Sequence, residues 1–478
     1  MRWIVCILLV CYCGNTKVLA QNKQLLYDFT EIPDALLVNP GTLTDSQWFV
    51  GVPVLSGISL QIGSNALTVN DLFADDGVDI NVKVRERAIY GMDIRDELSG
   101  TFQIPLLNAG FRGQNRDNFY SFGMYLEGDA IGYWFKDYAI LAFEGNADQL
   151  GRRFDLGHLK TRGEMVNVFH FGINKRMGRS LTLGARAKIY SGIFNFTSTN
   201  NKGYFVTTEG QNNIRANTID ADLEMRSSGL NEIEDALDND SSRLPGILAR
   251  RMFFGGDLGF GLDLGFTHHL NERTIVTASL LDLGFVYHNT DVKNYTIKGT
   301  ATVEGIQVFL PRDLSNQGED AWQNLIDEID VLVPHGTNNE SYINFRPTKL
   351  YGSIRYNFGR PIASKRICDC RDMVLKGRDY KQYSSAVGGQ LYMINRPRGP
   401  QAALTAFYSH RFGNALSLKT TYTVDKFSYS NVGLGLSLQA GPVNFYVLAD
   451  NLLAYNNIAD SHYSSFQLGL NIISWGKK

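Results

Sequence analysis

The stretch GGDLGFGLDLGF, residues 255–266, restricts the possible folds more than any other. Leu258, Phe260, Leu262, Leu264 and Phe266 share one parity, and Asp257, Gly259, Gly261, Asp263 and Gly265 share the other. A strand sends alternate side chains to opposite faces. This one therefore has a face of large apolar groups and a face of glycine and aspartate. A soluble sheet accepts such a strand when one face packs on a core and the other meets water. A transmembrane barrel accepts it with lipid on the apolar side and a polar lumen on the other.

The same alternation recurs along the chain. WFVGVPVLSGISLQI sets Trp48, Val50, Val52, Val54, Ile58, Leu60 and Ile62 on one parity. LTLGARAKI sets Leu183 and Ile189 against Arg186 and Lys188, and KLYGSIRYNF sets Leu350 and Ile354 against Lys349 and Arg355. LSLKTTYTV and VGLGLSL repeat the pattern near the C-terminus. The connections decide between the two environments. Short turns at 175–180, 268–273, 410–414 and 439–443 alternate with long excursions near 62–100, 194–252 and 288–345. Short turns on one side and long loops on the other is the layout of an outer-membrane barrel. The pattern predicts an all-β, antiparallel transmembrane barrel of about fourteen strands, an even number as such barrels require. The expected strands start near 47, 100, 117, 163, 180, 253, 273, 346, 384, 401, 414, 429, 442 and 462.

The N-terminus reads as an export signal over residues 1–20. Arg2 supplies the positive start, Trp3 to Tyr12 the apolar core, and Val18-Leu19-Ala20 the cleavage site. Nothing later in the 478 residues is long and apolar enough to cross a bilayer as a helix. The net charge of −2 offers no basic excess for nucleic acid. Removal of the signal leaves Cys368 and Cys370, in RICDCRD, as the only cysteines. A local disulfide or a free pair is the favoured reading. Zinc needs about four ligands, and no histidine lies nearby in sequence.

Two regions outside the strands carry pattern of their own. EDAWQNLIDEIDVLV, 319–333, puts Trp322, Leu325, Ile326 and Ile329 on one helical face, as an ordered extracellular cap requires. YTIKGTATVEGIQVFL, 295–310, reads as a hairpin above the membrane. Residues 21–46, between signal and first strand, do not alternate. Ile32, Leu36 and Leu37 have helix-like spacing, and Asn39-Pro40-Gly41 is a turn signature. This segment is long enough to fold back and occupy the lumen as a plug, leaving 47–478 as the barrel with its extracellular insertions.

Asn39-Pro40-Gly41 resembles the Asn-Pro-Ala/Gly mark of FadL-like outer-membrane proteins, which include long-chain fatty-acid transporters and PorV-type secretion proteins. The order NPG, GVPVLSG (51–57), FEGN (143–146) and LTLGARAKIYSG (181–192) is similar to one Bacteroidota family defined as a domain of unknown function. The resemblance covers nearly all of the mature chain. It implies a fourteen-stranded barrel with an N-terminal plug. Its motifs are structural rather than catalytic. Gly41 departs from the commoner alanine, and Trp475 lies three residues before the end and off the parity of Phe466, Leu468, Leu470 and Ile472.

The inward parity carries charge. Arg186, Lys188, Asp257, Asp263, Lys349 and Arg355 are expected to face the lumen, together with Glu127, Asp129 and Lys419. A selective constriction and a ladder of ion pairs holding a plugged lumen are both consistent with this. The ladder is favoured, because unpaired buried charge is costly and inward glycines leave room for a plug. An enzyme has little support. Asp460, Ser461 and His462 are adjacent on an extended chain and point apart, no Gly-x-Ser-x-Gly elbow exists, and no cofactor or metal is implied. The expected protein sits in the outer membrane of a Gram-negative bacterium, surrounded by lipid. Its expected role is FadL-like uptake or binding of a small apolar molecule. The alternative is docking of secreted or surface proteins, in the PorV manner.

Overall fold

The computed structural model describes residues 23–210, 215–304, 335–362, 380–427 and 431–475. Fourteen strands form the wall: β1 (Trp48–Ser64), β2 (Glu97–Arg112), β3 (Asn118–Tyr133), β4 (Thr161–Met177), β5 (Leu181–Ser198), β6 (Asp257–His269), β7 (Thr274–His288), β8 (Lys349–Ile362), β9 (Gln382–Arg396), β10 (Gly399–Phe412), β11 (Leu416–Val424), β12 (Asn431–Ala440), β13 (Val443–Asp450) and β14 (Tyr463–Ser474). Each pairs antiparallel with the next, and β14 pairs with β1 from Trp48↔Ser474 to Gly63↔Tyr463. The sheet closes and leaves no edge, so every wall strand finds hydrogen-bond partners on both sides.

The alternation maps onto the wall. In β6, Phe260 is 59% exposed and Leu258, Leu262 and Leu264 point outward with it, while Asp257, Gly259 and Asp263 are buried inside. Trp48, Leu60, Phe171, Leu183, Ile189, Ile354, Leu404 and Tyr422 continue the outward apolar surface around the circumference. Trp475 needs no bulge to explain its parity. The strand ends at Ser474, and the indole turns inward to pack on Leu36, Phe49, Phe119 and Ile473.

The connections differ between the two ends. Turns at 113–117, 178–180, 270–273, 413–415 and 441–442 lie at one end, where β8 also ends and β9 begins. The described parts of 65–96, 134–160, 199–256 and 289–348 lie at the other, together with the two-residue turn at 397–398. There the strands at Lys202–Glu209, Arg215–Ser228, Val292–Glu304 and His335–Asn338 build a small sheet above the rim. The 295–304 part of the expected hairpin is a central strand of this sheet, paired with both 215–228 and 335–338. Residues 305–310 lie outside the described residues. Short helices at Val69–Phe73, Lys136–Glu144, Leu230–Asn239 and Leu244–Arg250 complete the cap.

The hydrophobic core is inside the barrel. Leu25, Leu26, Tyr27, Phe29, Ile32, Ala35 and Val38 of the N-terminal segment pack on Leu281, Tyr351, Tyr392, Ile394, Ala403, Tyr446 and Leu448 of the inner wall. Tyr27 stacks on Tyr351 with ring centroids 4.9 Å apart. Burying each such side chain contributes roughly 1.5–3 kcal/mol. Residues 23–46 are thus held in the lumen by the hydrophobic effect as well as by the polar contacts below.

Candidate functional site: the filled lumen

Asn39-Pro40-Gly41 is seated on the inner wall by three glycine contacts. The Asn39 side chain accepts from the Gly41 N–H at 2.8 Å, an Asx-turn that tightens the bend. Asn174 Nδ2 of β4 donates to the Pro40 and Thr42 carbonyls at 2.9 and 2.7 Å. Gly184 and Gly265 face each other across β5 and β6. A Cβ on Gly184 would stand 2.1 Å from the Pro40 carbonyl, and one on Gly265 would stand 2.2 Å from Asn39 Oδ1. One on Gly41 would meet the Phe266 and Gly265 backbone at 2.5–2.6 Å. Alanine has no room at Gly41, which accounts physically for the departure from the commoner motif.

Next to this turn, inner-wall cations hold the segment's carbonyls. Arg186 donates through Nη1 to Leu36 O at 2.8 Å, through Nη2 to Leu37 O at 2.6 Å and through Nε to Asp263 at 2.7 Å. Lys188 bridges Asp263 and Asp282 at 2.9 and 2.6 Å. Lys349 bridges Asp282 and Glu127 at 3.0 and 2.9 Å. Arg346 joins Glu127 and Glu164 at 3.0 and 2.6 Å. All of these residues are buried. Four cations thus alternate with four carboxylates, so each buried charge has a partner of opposite sign. On the opposite wall, Asp34 of the segment accepts from Tyr446 and Asn471, both at 2.9 Å, and from Asn108.

Little space remains beside the segment. The two cavities bordering Lys23 have volumes of about 20 and 40 Å³, enough for a few waters. A larger cavity of about 400 Å³ opens at the short-turn end. Its floor is Asp28 to Pro33 of the segment, and its wall is polar, with Arg176, Arg355 and Arg411 among the lining residues.

A family model matches residues 40–450, nearly the whole barrel. The chain belongs to the family of unknown function DUF5723. No curated protein matches the sequence. Among solved structures, this DUF5723 chain is similar to the Pseudomonas putida toluene transporter TodX, with 11% identity, a TM-score of 0.37, and 96% of this chain and 98% of that one covered. The Ralstonia pickettii toluene transporter TbuX shares 10% identity at a TM-score of 0.39, covering 92% and 93%. A Pseudomonas aeruginosa FadL homologue shares 8% identity at a TM-score of 0.39, covering 96% and 99%.

Six of the charges singled out in the DUF5723 sequence divide into three places. Arg186, Lys188, Asp263 and Lys349 meet in the network described above. Asp257 lies at the long-loop rim, where it pairs with His288 at 2.8 Å and accepts from the Asn289 and Thr290 N–H groups at 3.0 Å. Arg355 lies near the short-turn end and donates to Asp28 O at 3.1 Å. Trp322, Leu325, Ile326, Ile329, Cys368, Cys370 and the signal region 1–20 lie outside the described residues.

Sequence reasoning missed Asp282, Arg346, Glu164 and Asp34. Asp282 sits on the outward parity of β7. It faces inward because the pairing with β6 slips between Leu280 and Leu283 and its own φ is +59°. Arg346 precedes β8 in a loop, so no alternation marks it. Glu164 lies beside the β4 bulge at Met165–Val166.

Proposed function

We propose that this chain is an outer-membrane barrel whose lumen is plugged by its own N-terminal segment, and that it acts by docking secreted or surface proteins at its long-loop end. Membrane residence is supported by edge closure combined with a continuous outward apolar surface, which lipid satisfies and water does not. The observation that carries the docking reading is Arg186, which clamps the Leu36 and Leu37 carbonyls while paired to Asp263. A cation engaged in this way is not free to meet a passing solute. The long-loop end supplies apolar surface for a partner. Phe73 is 72% exposed, and Val69, Val78, Ile80, Phe143 and Leu150 are exposed beside it or on the neighbouring loop.

A specific feature of β1 supports uptake of a small apolar molecule as the second reading. Its pairing with β2 lapses between Val50 and Ser59, opposite Pro105. Val54 adopts φ +67°, and Ser56 and Gly57 turn inward, with a Gly57 Cβ 3.7 Å from the Asp34 carboxyl. A molecule captured outside would leave sideways into the bilayer there, once the segment shifts.

Native mass spectrometry of the protein extracted from its own membrane in mild detergent separates the two. A bound protein chain without a small ligand is the expected result. A bound lipid-like mass that is lost when residues 27–43 are altered overturns docking in favour of uptake.

A further inference from the structure

The turn at Arg251–Gly255 is built on the outside of the barrel, and nothing in a plugged lumen or a docking cap requires it. Two outward side chains of the wall hold it. Asn167 of β4 donates through Nδ2 to Met252 O at 3.0 Å. Ser191 of β5 donates to Arg251 O at 2.6 Å and accepts from the Phe254 N–H at 3.0 Å. Both side chains are fully buried although they point away from the lumen. Arg251 is fully buried too. It donates through Nε to Ile193 O at 2.6 Å and pairs with Asp257 at 3.4 Å.

This scaffold presents two aromatic rings. Phe254 stacks on outward-facing Phe169 with centroids 4.6 Å apart, and Phe253 meets the same ring edge-on at 6.2 Å. Both nevertheless remain half exposed, at 54% for Phe253 and 48% for Phe254. Phe254 takes φ +66°, a left-handed conformation costly for a bulky residue. A fold that only needed a turn here would place glycine at that position. The rings sit where the outward apolar rows of β4 and β5 give way to the polar side chains of Asn167 and Ser191, beside outward Leu258 of β6. Below them lie Phe171, Ile189 and Phe260.

We infer that Phe253 and Phe254 form an anchor that inserts into the outer-leaflet lipid at the boundary between acyl chains and headgroups. Rigid aromatic rings at the end of an apolar band suit that boundary. The partner is a lipid surface, and the inference rests on the outer-membrane reading.

The test uses the full chain reconstituted in phosphatidylcholine vesicles whose acyl chains carry bromine near the headgroup. Added tryptophan fluorescence is compared with that of the parent for three variants: Phe253→Trp, Phe260→Trp on the outward band, and Leu237→Trp on the cap helix. The expected result is quenching and a blue-shifted emission for F253W and F260W, with neither for L237W. Quenching of F260W while F253W behaves like L237W overturns the anchor. Absence of quenching in all three overturns the membrane reading itself. If F253W does not fold, benzoylphenylalanine at the same position is photolysed in the same vesicles. A lipid-mass adduct supports the anchor, and an adduct only to the protein's own chain overturns it.

Discussion

At the scale of single residues, Arg186 ties the charge network of the inner wall to the N-terminal segment. It joins Asp263 and two carbonyls of another element, so removing it takes the donor from the Leu36 and Leu37 carbonyls and one of two cations from Asp263. We predict that Arg186→Ala lowers stability by about 3–5 kcal/mol, as expected when one partner of a buried pair is deleted. Urea unfolding followed by tryptophan fluorescence measures this, and a change within experimental error contradicts the clamp. Gly265 tests the seat of the Asn39 turn independently of charge. In Gly265→Val the new side chain occupies the position of Asn39 Oδ1, and overpacking of this kind costs about 1–3 kcal/mol or more. The expected outcome is a folded barrel in which residues 23–46 become sensitive to added protease, whereas the parent segment is protected.

At the scale of elements, the N-terminal segment and the wall form one hydrophobic core divided between two parts of the chain. Seven apolar side chains come from the segment and seven from β7, β8, β9, β10 and β13. Deleting residues 23–46 therefore empties the middle of the barrel. It leaves the wall pairing intact, since each strand keeps both neighbours. We predict that the deletion variant conducts ions in planar bilayers while the full chain does not. A silent deletion variant that still folds contradicts the plug. The alternation within each strand was readable in sequence because period two is a local property of an extended chain. Asp282 was not readable, because a register slip between two strands turned it inward.

At the scale of the whole molecule, the sheet closes on itself and carries an outward apolar surface, and the proposed membrane residence rests on that combination. Both lead to one prediction. Membrane-fractionated protein runs faster on a denaturing gel before boiling than after, because a closed barrel stays compact in detergent until heated. Recovery in a soluble periplasmic fraction, or identical migration with and without boiling, contradicts the membrane reading.

The fold class, the strand count and the broad contrast between short turns and long loops were legible in the sequence. These follow from side-chain periodicity and turn chemistry, which act over a few residues. The sequence also marked Arg186, Lys188, Asp263 and Lys349 as inward-facing charges. Only the tertiary structure decided what those charges do. The partners Asp282, Arg346, Glu164 and the Leu36 and Leu37 carbonyls arrive from distant strands, a loop and the N-terminal segment. Asp257 and Arg355 fall outside the network because each lies six residues along its own strand from a member of it, Asp263 and Lys349, a separation of roughly 20 Å at the rise of an extended chain. The outer turn at Arg251–Gly255 had no local signal. Its supports, Asn167 and Ser191, are brought together only by the β4–β5 pairing, and no local pattern records a contact made across a closed sheet.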